Sequence, residues 1–283
     1  MGESLWPTLS AGEFRLHTVQ AGPVRTRCLE AGRGDKAVIL LHGTGGHLEA
    51  YARNILPLAA HYRVFAFDMI GHGYSDKPDH DYEIAHYVRH VADFMDAMGL
   101  KRAHIAGESL GGWVAAQLAI DHPDRVDRMV LNTAGGLTAD PKVMKGLYDL
   151  SLKAVREASP ETVRKRLEWL MHDPAMVTED LVEMRYRIYT QPGFLRAMEH
   201  ILCLQIMEIR RRNMLDEAAL RRIAAPTFVV WTSHDPTGAV EVGQKFADLI
   251  PQASLVVMQD CGHWPQFENA PLFNRLVMDF LAG

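Results

Sequence analysis

Cysteine is scarce in this chain: Cys28, Cys203 and Cys261 are the only three in 283 residues, odd in number and far apart. No C-x-x-C pair occurs. Neither a disulfide framework nor a zinc site is expected, and reduced thiols in a cytoplasm are the plain reading. No stretch approaches the roughly 20 apolar residues that a membrane span needs. The opening MGESLWPTLS has no basic segment followed by an apolar run, so no leader peptide is expected. Gly2 follows Met1, but Trp6 stands where acylation of that glycine calls for serine or threonine. The charge excess is small, −5 at neutral pH, and gives no reason to expect nucleic acid or an acidic membrane as partner. Repeats are absent. So are a G-x-x-x-x-G-K-[ST] phosphate loop and a dinucleotide fingerprint after the first strand.

What is present is ordinary globular material, 48% hydrophobic and 23% charged, enough for one large domain or a domain with an insertion. Short apolar runs alternate with amphipathic ones. Residues 37–43, 62–69, 102–109, 128–134, 226–232 and 254–260 read as buried strands, several apolar almost throughout, as when helices cover both faces of a parallel sheet. Residues 84–98, 111–121, 240–250 and 271–282 read as the intervening helices, and 13–20 with 24–31 as an antiparallel hairpin. The order implies an α/β fold with right-handed crossovers and about eight strands. The rhythm breaks between 138 and 213, where the spacing is helical and prolines 160, 174 and 192 punctuate four or five short helices. Because the strand pattern resumes at Pro226, this segment reads as a lid inserted between two parts of one core, 1–137 and 214–283. The rival is a second, independent bundle.

Gly107-Glu108-Ser109-Leu110-Gly111 is G-x-S-x-G between an apolar strand and the helical WVAAQLAI, the setting of a nucleophile elbow. The tight turn strains the serine backbone and favours residues without side chains beside it. The helix that follows points N–H groups at an anion. The rival reading is a glycine-rich turn with an inert serine. A serine needs a base, and the base needs an orienting acid, in the order Ser, acid, His. Asp235, just beyond a strand end, and His263, in the loop after the next strand, fill those places. His234 and Asp260 are rivals read as structural, and Cys261 as a packed small side chain. Oxyanion donors are expected from the amides of Leu110 and Thr44, the latter in the loop LLHGTGGH. The basic run IRRRN at 209–213 reads as a solvated or salt-bridged face.

These motifs together (H-G-x-G, D-x-x-G-H-G-x-S, G-x-S-x-G-G, a late Asp and G-H-W) resemble the α/β-hydrolase superfamily along essentially the whole chain. CGHWPQFENAPLFNRLVMDFL and DPAMVTEDLVEMRYRIYTQPG are more narrowly similar to the meta-cleavage product hydrolases, which cleave carbon–carbon bonds in ring-opened catechols. The resemblance implies an anionic small-molecule substrate, a 2-hydroxy-6-oxo-hexa-2,4-dienoate, and no metal or organic cofactor. It also implies a homodimer or higher oligomer. It matches Arg185 to the lid arginine that holds the substrate carboxylate, and Trp264 to the tryptophan after the catalytic histidine. Gly43 and Glu108 join them as candidate substrate contacts. The sequence departs from the family at Glu108, where asparagine is common, at Gly46, where proline is usual, and at Ala50 in place of an asparagine. Glu108 reads first as a structural anchor beneath the elbow, its side chain leaving in another direction from the triad, and second as a proton relay or ligand contact. A carboxylesterase or lactonase would use the same triad, and a non-catalytic ligand receptor could retain it.

Overall fold

The structure, a computed structural model, describes residues 5–283; Gly2 lies outside the described residues. Eight strands form one sheet: β1 (Phe14–Ala21), β2 (Val24–Ala31), β3 (Ala37–Leu41), β4 (Arg63–Phe67), β5 (Ala103–Glu108), β6 (Val126–Asn132), β7 (Thr227–Thr232) and β8 (Ala253–Met258). Their order is β1-β2-β4-β3-β5-β6-β7-β8. Only β2 runs against its neighbours, pairing antiparallel with both β1 and β4. This is the α/β-hydrolase fold expected from the strand rhythm. β3, β5 and β7 are buried at every position. That is why their sequences run apolar without alternation: helices cover both faces. The helices include α1 (Ile84–Ala97), α2 (Leu110–Asp121), α8 (Val240–Leu249) and α9 (Ala270–Ala282). Their limits fall within a residue of the spans read from the sequence.

Two features of this sheet place the site. After β3 the chain steps out to β4 and then returns to β5 on the other side. A crevice therefore opens beyond the carboxyl ends of β3 and β5, where open α/β sheets bind ligands. Over it lie five of the helices between β6 and β7: α3 (Pro141–Arg156), α4 (Pro160–Glu168), α5 (Glu179–Tyr189), α6 (Phe194–Ile201) and α7 (Met207–Asn213). Pro160 starts α4 at its first position instead of breaking it, behind a Ser159–Thr162 capping box. Asp140 caps α3 by accepting from the amides of Lys142 and Val143. The helical segment is tied to the core loops by the His263 amide donating to Leu170 O at 2.6 Å, the Tyr189 hydroxyl to Gly45 O at 3.1 Å and the Gln191 amide to Gly73 O at 3.0 Å. β7 pairs directly with β6, so the sheet continues across the insertion.

Candidate active site

Ser109 follows the last residue of β5 and precedes the first of α2, with φ 54° and ψ −112°. A non-glycine residue rarely takes positive φ, and it persists only where its surroundings enforce it. Here the Ser109 amide donates to Asn132 O at 2.9 Å, and the Ser109 carbonyl accepts from Trp113 and Gly135 at 3.0 and 2.9 Å. The hydroxyl is thereby left facing a cavity between the core and the helical segment. Leu110 opens α2, so its N–H has no carbonyl within the helix to bind. Leu110 and Thr44, the expected oxyanion donors, both line this cavity with Gly43, His263 and Trp264.

His263 is 3% exposed. Its Nδ1 lies 2.9 Å from Asp235 Oδ1, which also accepts from the amide and hydroxyl of Thr237, both at 2.8 Å. Burial alone would lower the imidazole pKa, but the adjacent Asp235 carboxylate, aided by Glu108, raises it above its ordinary value. His234 and Asp260, the rival pair, are both exposed. Cys261 is buried, and burial pushes its thiol up to about 12.

Glu108 differs from the expected anchor beneath the elbow. Its Oε1 lies 3.2 Å from His263 Nε2, the nitrogen on the edge away from Asp235. Among the described residues the Ser109 hydroxyl makes no hydrogen bond of its own. The Glu108 carboxyl is 1% exposed, and burial pushes its pKa up to about 7. With Nδ1 engaged by Asp235, Nε2 and Glu108 Oε1 face each other within reach for sharing a proton. Gly43 makes room for this carboxyl: a Cβ there would fall 2.5 Å from Glu108 Oε2. Strand periodicity signalled none of this, because the contact joins a strand end to a loop 155 residues further along.

Arg185 is 1% exposed and carries no carboxylate partner among the described residues. Its Nε donates to His47 Nε2 at 3.4 Å, Nη2 is buried without a partner, and the guanidinium stands 5.1 Å from the Trp264 ring centroid. His47 in turn bonds Glu49 through Nδ1 at 2.8 Å, and Glu49 and Asp68 both pair with Arg27. A buried ionic chain thus positions Arg185, and nothing in the sequence marked His47, Glu49 or Arg27 as its members. Arg185 sits behind Trp264, outside the cavity lining. The arginines that do line the cavity are Arg166 and Arg210. The second departs from the reading of 209–213 as a solvated or salt-bridged face, which holds for its two neighbours. Arg211 is exposed and Arg212 pairs with Glu83, but Arg210, on the inner side of α7, is 4% exposed. Met144, Leu147 and Leu170 are apolar side chains of the helical segment that line the cavity. Leu167, Met171, Ile188 and Leu204 are buried in the packing of the helices.

An alcohol on a strained turn, an imidazole bonded to a buried carboxylate and two unoccupied amides are equipment for nucleophilic attack on a carbonyl. A family model for the alpha/beta hydrolase fold matches residues 36–270. The chain is a member of the α/β-hydrolase family, and it is a hydrolase. Its relatives narrow the group. It is 37% identical over 263 residues to the 2-hydroxy-6-oxo-6-phenylhexa-2,4-dienoate hydrolase of Burkholderia cepacia, covering 90% of each chain. It is 35% identical over 265 residues to the 2-hydroxy-6-oxononadienedioate/2-hydroxy-6-oxononatrienedioate hydrolase of Comamonas testosteroni, again covering 90% of each. The solved meta-cleavage product hydrolase of Pseudomonas fluorescens superposes with a TM-score of 0.84 at 31% identity, over 94% of this chain and 97% of that one. Within the α/β-hydrolases, this protein belongs with the meta-cleavage product hydrolases.

Proposed function

We propose that the protein hydrolyses the carbon–carbon bond next to the ketone of a 2-hydroxy-6-oxo-hexa-2,4-dienoate, a ring-opened product of aromatic breakdown. The observation carrying this reading is the meeting, in one cavity, of the Ser109 elbow with an imidazole that Asp235 orients. The substrate names of the relatives above supply the chemical class.

In this reading residues 138–213 are the lid and 1–137 with 214–283 the core. The dienoate carboxylate docks on Arg166, against Trp264 and Gly43, and Arg185 adds its positive charge from its place beside the Trp264 ring, outside the lining; guanidinium groups suit a planar carboxylate. The proton of the 2-hydroxyl passes to the carbon next to the distal ketone, relayed by the proton shared between Glu108 and His263. The imidazole then turns its Nε2 to Ser109 and takes the hydroxyl proton. The Ser109 oxygen bonds to the ketone carbon, and the oxyanion rests on the amides of Leu110 and Thr44. When the carbon–carbon bond breaks, its electron pair delocalises onto the oxygen of the departing fragment, which takes the proton from His263 and leaves as a dienol, returning the imidazole to its basic form. Water then releases the acyl group, with His263 as base. The buried thiols fit a reducing cytoplasm. No helix of the described residues is long and apolar enough to cross a membrane. Assembly into a homodimer or larger oligomer is part of the proposal, by likeness to the family.

The test is a pair of substrates: a coloured 2-hydroxy-6-oxo-dienoate and p-nitrophenyl acetate. Rapid bleaching of the first with slow ester turnover is the expected result. Fast ester turnover without bleaching replaces this reading with an esterase or lactonase, and tight binding without turnover of either replaces it with a receptor. Arg185→Gln should lower kcat/KM for the dienoate relative to the neutral ester by about 10-fold or more, since a buried positive charge close to the carboxylate end is lost. An equal loss on both removes Arg185 from carboxylate recognition.

Glu108→Gln tests the shared proton through pH. The Glu108 carboxylate helps to raise the His263 pKa. Its removal should lower that pKa, and because the base acts deprotonated, the acid limb of kcat/KM should move to lower pH. An acid limb at the wild-type position rules out the coupling.

A further inference from the structure

Three polar side chains meet on the surface where the helical segment touches the core. His172 lies in the turn between α4 and α5, His234 just beyond the end of β7 and Asp260 just beyond the end of β8. All three are exposed. Each offers one ligand atom, an imidazole nitrogen or a carboxylate oxygen, and the three atoms lie within 4.8 Å of one another. The two imidazole ring centroids are 3.9 Å apart. Among the described residues no other three histidine, cysteine or acidic side chains gather in this way. Neither the His172 ring nor the Asp260 carboxylate has a hydrogen-bond or ion-pair partner among those residues. The His234 ring is steadied on one side. The Ser233 hydroxyl meets its Nδ1 at 2.8 Å and accepts from the Asp260 amide at 3.0 Å.

The backbone beneath these side chains is tied together. The His172 and Gly262 amides donate to the two oxygens of one carboxylate, Glu268, at 2.7 and 2.8 Å. The His234 amide donates to Cys261 O at 3.1 Å. Gly262 permits the close approach, since a Cβ there would fall 2.5 Å from Leu170 O and 2.6 Å from His172 N. The ligand-bearing segments therefore stand side by side before any ion arrives, and only the side chains have to close. Ligand atoms on a tetrahedral zinc ion lie roughly 3.4 Å apart. Exposed side chains reach that spacing by small rotations. Two imidazoles and a carboxylate suit first-row divalent metals, whereas Ca²⁺ and Mg²⁺ prefer oxygen ligands. The scarcity of cysteine spoke against a thiolate zinc site; this arrangement needs no thiolate.

We propose that His172, His234 and Asp260 form a binding site for Zn²⁺ or a similar divalent transition metal, and that the bound ion clamps the helical segment to the core and slows turnover. The ion takes no part in bond breaking. His234 adjoins Asp235, Asp260 lies three residues before His263, and His172 lies two residues after Leu170, which lines the cavity. The ion thus joins the segment over the cavity to the two loops that carry the acid and the base. Movement of such a segment commonly gates substrate entry and product release, and a cross-link opposes that movement. The clamp acts alike on a dienoate and on an ester, so it does not depend on which of them is the substrate.

The experiment titrates the full chain, first treated with chelator, with ZnCl₂ and separately with MgCl₂ in a calorimeter. The wild type should bind Zn²⁺ far more tightly than Mg²⁺. His172→Gln, His234→Gln and Asp260→Asn should each weaken Zn²⁺ binding by about 10- to 100-fold or more, since loss of a ligand's supporting hydrogen bond alone costs that much. His80→Gln is the control. It removes one member of a separate histidine pair, with ring centroids 4.7 Å apart, and should bind as the wild type does. Zn²⁺ binding unchanged in the three variants, or Mg²⁺ bound as tightly as Zn²⁺, overturns the site. Zn²⁺ should also raise the thermal midpoint of the wild type and slow its turnover of whichever substrate it accepts, and EDTA should reverse both. His172→Gln should keep the metal-free rate and escape the slowing. Slowing that persists in His172→Gln, or binding at the three residues without slowing, overturns the clamp. If neither dienoate nor ester is turned over, calorimetry and the thermal midpoint still decide the site, and only the catalytic reading has failed.

Discussion

Replacing Ser109 by alanine should reduce turnover of any substrate by about 10³- to 10⁶-fold while leaving the protein folded, since loss of the nucleophile proposed above leaves only the oxyanion donors and binding to act. The fold should survive because what holds residue 109 at positive φ is its backbone. The amide bonds Asn132 O, and the carbonyl accepts from Trp113 and Gly135. None of these contacts uses the hydroxyl, and alanine adopts φ 54° at the same steric cost as serine. A glycine at 109 should be equally inactive yet more stable by about 1 kcal/mol, because only glycine takes that conformation freely. Steady-state rates and thermal midpoints of both variants are the measurements. A Ser109→Ala enzyme within tenfold of wild type would place the nucleophile elsewhere and dissolve the mechanism above.

Gly107→Ala should be the most damaging single substitution for stability. An added Cβ would lie 2.1 Å from Gly111 O, 2.2 Å from Gly111 C and 2.5 Å from Gly112 N. All three are backbone atoms of α2, so no side chain can swing aside, and either the end of β5 or the start of the helix must move. The expected loss is about 3 kcal/mol or more, or failure to fold. Gly146 is the control. It lies inside α3 with nothing within 4 Å of an added Cβ, so Gly146→Ala should gain roughly 0.5–1 kcal/mol through helix propensity. Urea midpoints compare the two directly. A Gly107→Ala protein unfolding at the wild-type midpoint would show that the elbow is not close-packed.

The same contrast between local and distant contacts separates what was legible in this sequence from what was not. Strands β3 to β8 were readable because each is a short apolar run whose signal lies within five to eight neighbouring residues. The elbow was readable because strand, glycine, serine and helix follow one another along the chain. The positions of Asp235 and His263 were readable because strand ends place residues beyond the sheet. In contrast, Glu108 read as an anchor, and the structure sets it 3.2 Å from His263 Nε2. Arg210 read as one of three surface arginines, and only its place on α7 turns it inward while Arg211 faces water. Arg185 was named as a clamp, but the chain that holds it, from Arg27 through Glu49 to His47, joins three separate segments.

By itself, then, the sequence determined the α/β architecture, the helical insertion and the nucleophile elbow, all written in periodicity and local turn chemistry. The tertiary structure decided which carboxyls lie against the imidazole, which arginines line the cavity and which are left out of the lining. Those outcomes depend on burial and on contacts between residues tens to more than a hundred positions apart. Periodicity carries no information about such pairs, because the desolvation that makes them consequential exists only once the helices close over the sheet.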